Sequence, residues 1–480
     1  MVDLLVIGGG INGAGIARDA GGRGLATVLV ERGDLAGATS SASSKLIHGG
    51  LRYLEQYAFR LVHEALAERE TLLRVAGHLV RPLHFVIPHV PELRPRWMIR
   101  IGLFLYDHLA RRALLDASRP TRLDAGPYAR GLRPGLKHGF VYADCRVDDA
   151  RLVVANAVDA ARMGARVLLG TECVSAQRQG GVWHIRLSSG EALQARAIVN
   201  AAGPWVKQVL NERLGQPSAD AVRLIKGSHI VVPKLYEGEH AFILQNDDRR
   251  VVFMIPYEAD FTLVGTTDVP VAQAQAGAAS EEEIDYLLRA VNRYLARPAR
   301  RESVAWSYAG VRPLYDDGSR DPSDVTRDYA LRLDHEGGAP VLSVFGGKIT
   351  TYRRLAEEAL ERLAGYFPRM TKGWTASTPL PGSAFPSRAE AQREVLSRYR
   401  ALPREVVDGV FRRHGAQAAD VLGDGIVGEQ YGAGLTEREL RYLVDREWAS
   451  SAEDVLWRRT KCGLHMSAAE RTRVVEVMGR

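Results

Sequence analysis

The chain opens on a continuous apolar run, Leu4 to Ile7, that ends in the cluster Gly8-Gly9-Gly10-Ile11-Asn12-Gly13-Ala14-Gly15 and continues with helical spacing to Gly22. A second apolar run, Thr27 to Val30, ends in Glu31. This order predicts a strand, a helix and a second strand. A 3.6-residue periodicity from Phe59 to Ala76 predicts a long helix. Asp148 and Asp149 supply a cap and a first-turn acid for another, running to Gly164. Short β-like segments follow at Arg166 to Leu169, Val182 to Leu187 and Ala197 to Asn200. From Val222 to Val269 many short β-branched runs predict a mixed or antiparallel sheet rather than a second nucleotide fold. Ser377-Thr378-Pro379-Leu380-Pro381-Gly382 reads as an unburied linker. Beyond it Ser387-x-x-Glu390, Thr436-x-x-Glu439 and Ser467-x-x-Glu470 each open a helical pattern, so the last segment is expected to be all helical.

At 480 residues the chain is long enough for two or three packed units. No stretch approaches the roughly 18 consecutive apolar residues of a membrane span. No basic leader precedes the first strand, which places the protein in the cytoplasm as an expectation. Cys145, Cys173 and Cys462 are far apart and form no Cys-x-x-Cys pair, so neither a disulfide framework nor a metal site is expected. A net charge of +7 admits anionic metabolites, lipid headgroups or nucleic acid as partners without choosing among them.

The chemistry begins with Gly8-x-Gly10-x-x-Gly13 between strand and helix. The first glycine permits the turn, the second lets a pyrophosphate approach backbone N–H groups at the helix start, and the third lets helix and strand pack closely. Glu31 ends the next strand, where the dinucleotide fingerprint places an acceptor for the adenosine ribose. These four residues do not separate FAD from NAD, because both present an ADP moiety. Thr39 to Leu54 adds several hydroxyls, two glycines, a lysine and an arginine in one loop-to-helix passage, which makes a polar cradle suited to anions. Composition alone also fits a serine-rich surface loop.

The segment from Ser40 to Leu54 resembles the flavin-contacting signature of the FAD-dependent, quinone-linked (respiratory) glycerol-3-phosphate dehydrogenases. In the same order as in that family come Val199-Asn200-Ala201-Ala202-Gly203-Pro204-Trp205, Lys226-Gly227-Ser228-His229, Gly265-Thr266-Thr267-Asp268, Gly310-Val311-Arg312-Pro313-Leu314 and Phe345 to Arg353. The resemblance covers most of the chain. It implies FAD contacts at Ser40, Ser41, Ser43, Ser44, Lys45, His48 and Gly49, an adenine contact near Val174, and further contacts near Gly203, Gly347 and Thr350. It also implies an α/β fold: a Rossmann-like FAD-binding domain (1–60, 140–215 and 320–372), a mixed or antiparallel-sheet substrate domain (61–139 and 216–319), and an all-helical C-terminal domain (383–480). The implied reaction is oxidation of sn-glycerol 3-phosphate to dihydroxyacetone phosphate by hydride transfer to FAD, followed by electron transfer to quinone.

A small dianionic substrate needs cations, and Arg52, Arg312 and Lys348 are the candidates, with Tyr53 as a hydrogen-bonding partner. Gly346-Gly347 precede a helical stretch whose N-terminus suits negative charge on a reduced flavin. Removing the proton of the substrate hydroxyl suits a histidine; His229 is the first candidate and His48 its rival. Pro95 to Tyr106 mixes arginines with Trp97 and Phe104 and reads two ways. It is either a buried helix of the substrate domain or an interfacial helix on an anionic membrane surface. The resemblance implies peripheral attachment to the inner face of the cytoplasmic membrane and is compatible with a homodimer. Two other classes stay open. One is a related FAD-dependent amine or 2-hydroxy-acid oxidase that uses oxygen. The other is a nucleotide-binding, RNA-associated protein, disfavoured because no aromatic-basic motif accompanies the charge.

Overall fold

The structure is a computed structural model describing residues 1–479 except 92, 219, 249, 276 and 317–327, and except the side chains of Arg52 and Gln56. Among the described residues, two large sheets organise it. The first has eight strands, six of them in the order Ala330–Asp334, Val341–Phe345, Ala192–Asn200, Val2–Ile7, Thr27–Val30 and Arg166–Leu168. All neighbours in that row are parallel except the first pair. The antiparallel strands Cys173–Gln179 and Val182–Leu187 branch from it. The run Leu4 to Ile7 is apolar at every position because both of its faces are covered. Leu4 and Val6 pack with Ala14, Leu152 and Leu355 from helices Ile11–Gly22, Asp149–Arg162 and Tyr352–Leu363. Leu5 and Ile7 pack against Trp183, Ile185 and Val206 on the other side.

The second sheet has ten strands and is antiparallel except where Ala241–Gln245 runs parallel to Val80–Pro88. Its longest pairing joins Val222–Pro233 to Trp306–Tyr315. The expected antiparallel region is thus present. Leu46–Ile47 and residues 140–147 of strand His138–Val147, placed above in the cofactor unit, pair within this second sheet. The reason is pairing: His138–Val147 is matched to Val80–Pro88 along nine consecutive positions, and Leu46–Ile47 pairs with its end. The chain crosses to the first sheet at Asp148, which caps helix Asp149–Arg162 by accepting from Arg151 N–H. The expected start at 320 falls outside the described residues.

The C-terminal segment is helical, as expected, apart from the small hairpin Gln430–Gly432 with Leu435–Thr436. Ser387, Thr436 and Ser467 cap its helices. The segment before it is not a loose linker. Leu380 is fully buried and its N–H donates to Val75 O at 2.7 Å, while Arg18 donates to Thr378 O at 3.1 Å. A buried polar network then docks the unit: Arg151 donates to Glu447 and to Arg413 O, and Arg413 and His414 hold Glu439. Burial pushes the Glu439 carboxyl up, but Arg413 and His414 outweigh it and hold its pKa down to about 2.

Helix Arg96–His108 spans that stretch. It is not buried: Ile99, Leu103 and Tyr106 face inward, while Trp97, Met98, Ile101, Phe104 and Leu105 are exposed, Trp97 to 63%. Among the described residues no helix is long and apolar enough to cross a membrane.

Candidate active site

Four parallel strands end at one wall. Ile7 and Gly8, Val30 and Glu31, Ala201 and Ala202, and Gly346 and Gly347 all line a cavity of about 560 Å³ between the two sheets. Ligands of open parallel sheets bind at this carboxyl edge. Gly8 has φ +112°, and a Cβ there would sit 2.5 Å from Ala201 O. A Cβ on Gly13 would sit 1.9 Å from Gly8 O. Both positions therefore require glycine for packing of turn, helix and strand. The Glu31 carboxylate accepts from Gly9 N–H at 2.7 Å and Gly33 N–H at 2.9 Å, so the glycine turn and the acid form one preorganised unit. Ser40 Oγ accepts from Ile11 N–H at 3.0 Å, at the start of the first helix, whose first turn carries no acid.

The other candidates fall into two groups. Gly8, Gly10, Glu31, Ser40, Ser43, Ser44, His48, Tyr53, Gly203, His229, Arg312, Gly347, Lys348 and Thr350 line the cavity. Gly13, Ser41, Lys45, Gly49 and Val174 do not, although Cys173 beside Val174 does. Lys45 is drawn away by a buried acid: its ammonium lies 2.9 Å and 3.0 Å from the two oxygens of Asp149. Gly49 packs under Leu66 and donates to Tyr106 Oη at 2.8 Å. Arg52 lies in the 3-10 turn Leu51–Gln56, but its side chain falls outside the described residues.

His229 is buried in Val222–Pro233, with Nε2 2.9 Å from Ser44 Oγ and its ring stacked on Tyr308 at 4.9 Å. Burial, reinforced by Lys45 and Arg312, lowers its pKa well below the ordinary value, so it is neutral at pH 7. Burial also lowers the pKa of His48, with Asp144 opposing and Lys348 adding to the shift. Arg312 donates to Thr267 O at 2.7 Å and pairs with Asp268 at 2.8 Å. Lys348 Nζ lies 3.9 Å from the centre of the Tyr53 ring.

These residues fit FAD. Asn12 Oδ1 and His229 Nδ1 are buried with no hydrogen-bond partner among the described residues, and both residues line the cavity. A Cβ on Gly347 (φ +98°) would come within 2.9 Å of Asn12 Nδ2 and narrow the cradle. Asn12, which donates to Gly346 O at 3.3 Å, was missed in the sequence. Its one signal was its place inside the glycine triplet. Arg32, stacked over Trp205 at 4.1 Å, had none.

The FAD dependent oxidoreductase family matches residues 3–353, and the C-terminal domain of alpha-glycerophosphate oxidase matches residues 374–480. The chain belongs to the FAD-dependent oxidoreductases and uses FAD. Within them it falls in the glycerol-3-phosphate dehydrogenase group. A protein of Pseudomonas aeruginosa named glycerol-3-phosphate dehydrogenase is 53% identical over 98% of this chain and 94% of its own length. The aerobic glycerol-3-phosphate dehydrogenase of Escherichia coli is 50% identical, with 98% and 96% covered. The D-erythritol 1-phosphate dehydrogenase of Brucella abortus is 51% identical, with 99% and 97% covered. Among solved structures, the FAD complex of glycerol-3-phosphate dehydrogenase from Bacillus halodurans superposes with a TM-score of 0.72 at 26% identity, covering 100% of this chain and 94% of that one.

Proposed function

We propose that this enzyme oxidises sn-glycerol 3-phosphate to dihydroxyacetone phosphate and that its electrons pass to quinone. The observation that carries the substrate class is the pair of cations, Arg312 and Lys348, on the wall of a cavity that also holds a neutral buried histidine. Bound FAD supplies the hydride acceptor. The guanidinium of Arg312, fixed by Thr267 O and Asp268, is oriented before substrate arrives, which suits a planar fork binding phosphate oxygens. His229 takes the proton of the C2 hydroxyl: its neutral state keeps a lone pair available, and Ser44 and Tyr308 hold the ring in place. His48, also neutral, is the second candidate for that proton.

The same cations admit a longer polyol phosphate, and the 51% identity to the Brucella abortus enzyme makes D-erythritol 1-phosphate the second reading. Quinone lives in lipid, and the exposed apolar row of helix Arg96–His108, near Arg111 and Arg112, supports attachment to an anionic membrane surface at its inner face. The test is an anaerobic titration of the holoenzyme with each polyol phosphate, following bleaching of the flavin. Bleaching by glycerol 3-phosphate at lower concentration than by D-erythritol 1-phosphate, reversed by a quinone analogue, is expected. The opposite order would transfer the assignment to the longer substrate. Bleaching by neither would end the polyol phosphate reading.

A further inference from the structure

One end of the FAD cavity is not built by the oxidoreductase domain alone. Arg458 lines it together with Glu31, Arg32, Gly33, Asp34 and Cys173, yet Arg458 belongs to the C-terminal unit, 424 residues from Asp34 in sequence. Its Nε donates to Asp34 Oδ2 at 2.7 Å. Arg459, with no exposed side-chain surface, donates to the same carboxylate through Nη1 at 2.7 Å and Nη2 at 2.6 Å, and also to Glu447 O at 2.8 Å. One carboxylate thus holds two guanidiniums from the other unit. The loop that carries Asp34 touches the glycine turn directly: Ala36 N–H donates to Gly9 O at 3.1 Å, and Gly33 N–H to Glu31. Glu31 marks this as the adenosine end, where the dinucleotide fingerprint places the ribose.

We propose that the C-terminal unit is part of the cofactor site. Arg458 and Arg459, acting through Asp34, lock the loop after Glu31 in the position that the adenosine half of FAD needs, and Arg458 forms part of the wall there. They act as positioning residues, through Asp34. Two physical reasons make the lock matter. A largely buried carboxylate that loses one of its two cations is less well compensated, so each arginine contributes to holding the loop in this one position. Coupling is also reciprocal: if docking of the C-terminal unit favours FAD, then FAD favours docking by the same factor. The proposal concerns FAD alone and is independent of which polyol phosphate is oxidised.

The experiment follows FAD release from the full-length holoenzyme after dilution, by the rise in flavin fluorescence, and amide hydrogen exchange of the same chain with and without FAD. Arg458→Ala is expected to release FAD about tenfold faster or more, a change of 1.4 kcal/mol or more in the barrier to release. Arg458→Lys, which keeps the charge but not the fork, should fall between. Arg473→Ala, which breaks an exposed pair with Glu429 in the same unit, should release FAD at the native rate. FAD should slow exchange in Glu437–Glu447 and Asp454–Arg459 of the native protein. Native release rates in Arg458→Ala, or equal acceleration in Arg473→Ala, would overturn the proposal. If Arg458→Ala does not fold, the exchange experiment decides alone: unchanged exchange in those two helices on FAD binding overturns it.

Discussion

Arg312→Ala tests the phosphate reading most directly. In the native site the guanidinium is 27% exposed and already spends hydrogen bonds on Thr267 O and Asp268. Hydrogen bonds between charged groups contribute about 1.5–3 kcal/mol, and partial exposure argues for the lower half of that range. A loss of about 1.5–2 kcal/mol weakens half-saturation roughly 10- to 30-fold. Part of that loss has a second origin. Removing Arg312 leaves the Asp268 carboxylate without this cation, and its negative charge then opposes a dianion. Arg312→Ala combined with Asp268→Asn should therefore bind glycerol 3-phosphate better than Arg312→Ala alone, although each residue lies in one hydrogen-bonded unit. The assay is half-saturation of flavin bleaching under anaerobic conditions, with unphosphorylated glycerol as the control. If Arg312→Ala kept native half-saturation for glycerol 3-phosphate, or weakened glycerol equally, phosphate recognition by Arg312 would be refuted.

Three further outcomes are expected. Gly13→Ala places a methyl 1.9 Å from Gly8 O, so the glycine turn must shift and the purified protein should be colourless, read as the ratio of flavin to protein absorbance. His229→Asn should lower the rate of flavin bleaching by about 10²–10⁴-fold while the protein stays yellow. In the native enzyme the acid limb of the rate profile should lie below pH 6.5, because a lowered pKa keeps His229 neutral there; native bleaching rates in the variant would shift the role to His48. His48, His78, His229 and His414 all have pKa values lowered chiefly by burial, and His240 falls to about 4. The unfolded chain therefore binds more protons below pH 6.5. Stability should be fully present above that pH and fall as pH drops, each group contributing up to about 1.4 kcal/mol per pH unit. A denaturation midpoint that is flat from pH 7 to pH 5 would contradict this.

Much of the site was legible because its motifs are local. Gly8, Gly10, Gly13 and Glu31 sit at the spacing that a strand, turn, helix and strand impose, and backbone geometry alone restricts what can stand there. His229 and Arg312 were legible only through resemblance to a family, since a single histidine or arginine carries no spacing signal. Lys45 shows the limit from the other side. It lies among cavity-lining serines, but Asp149, over a hundred residues away, claims its ammonium.

The sequence by itself determined the nucleotide fold, the antiparallel second sheet and the capped C-terminal helices, because these follow from periodicity, turn chemistry and residue type over short spans. Only the tertiary structure decided where His138–Val147 pairs, that Leu380 is buried, that helix Arg96–His108 turns apolar side chains outward, and that Arg458 and Arg459 reach Asp34. Each of those depends on which distant surfaces meet. Strand pairing, burial and ion pairing are settled by the free energy of the whole packed chain, and no local pattern contains that information.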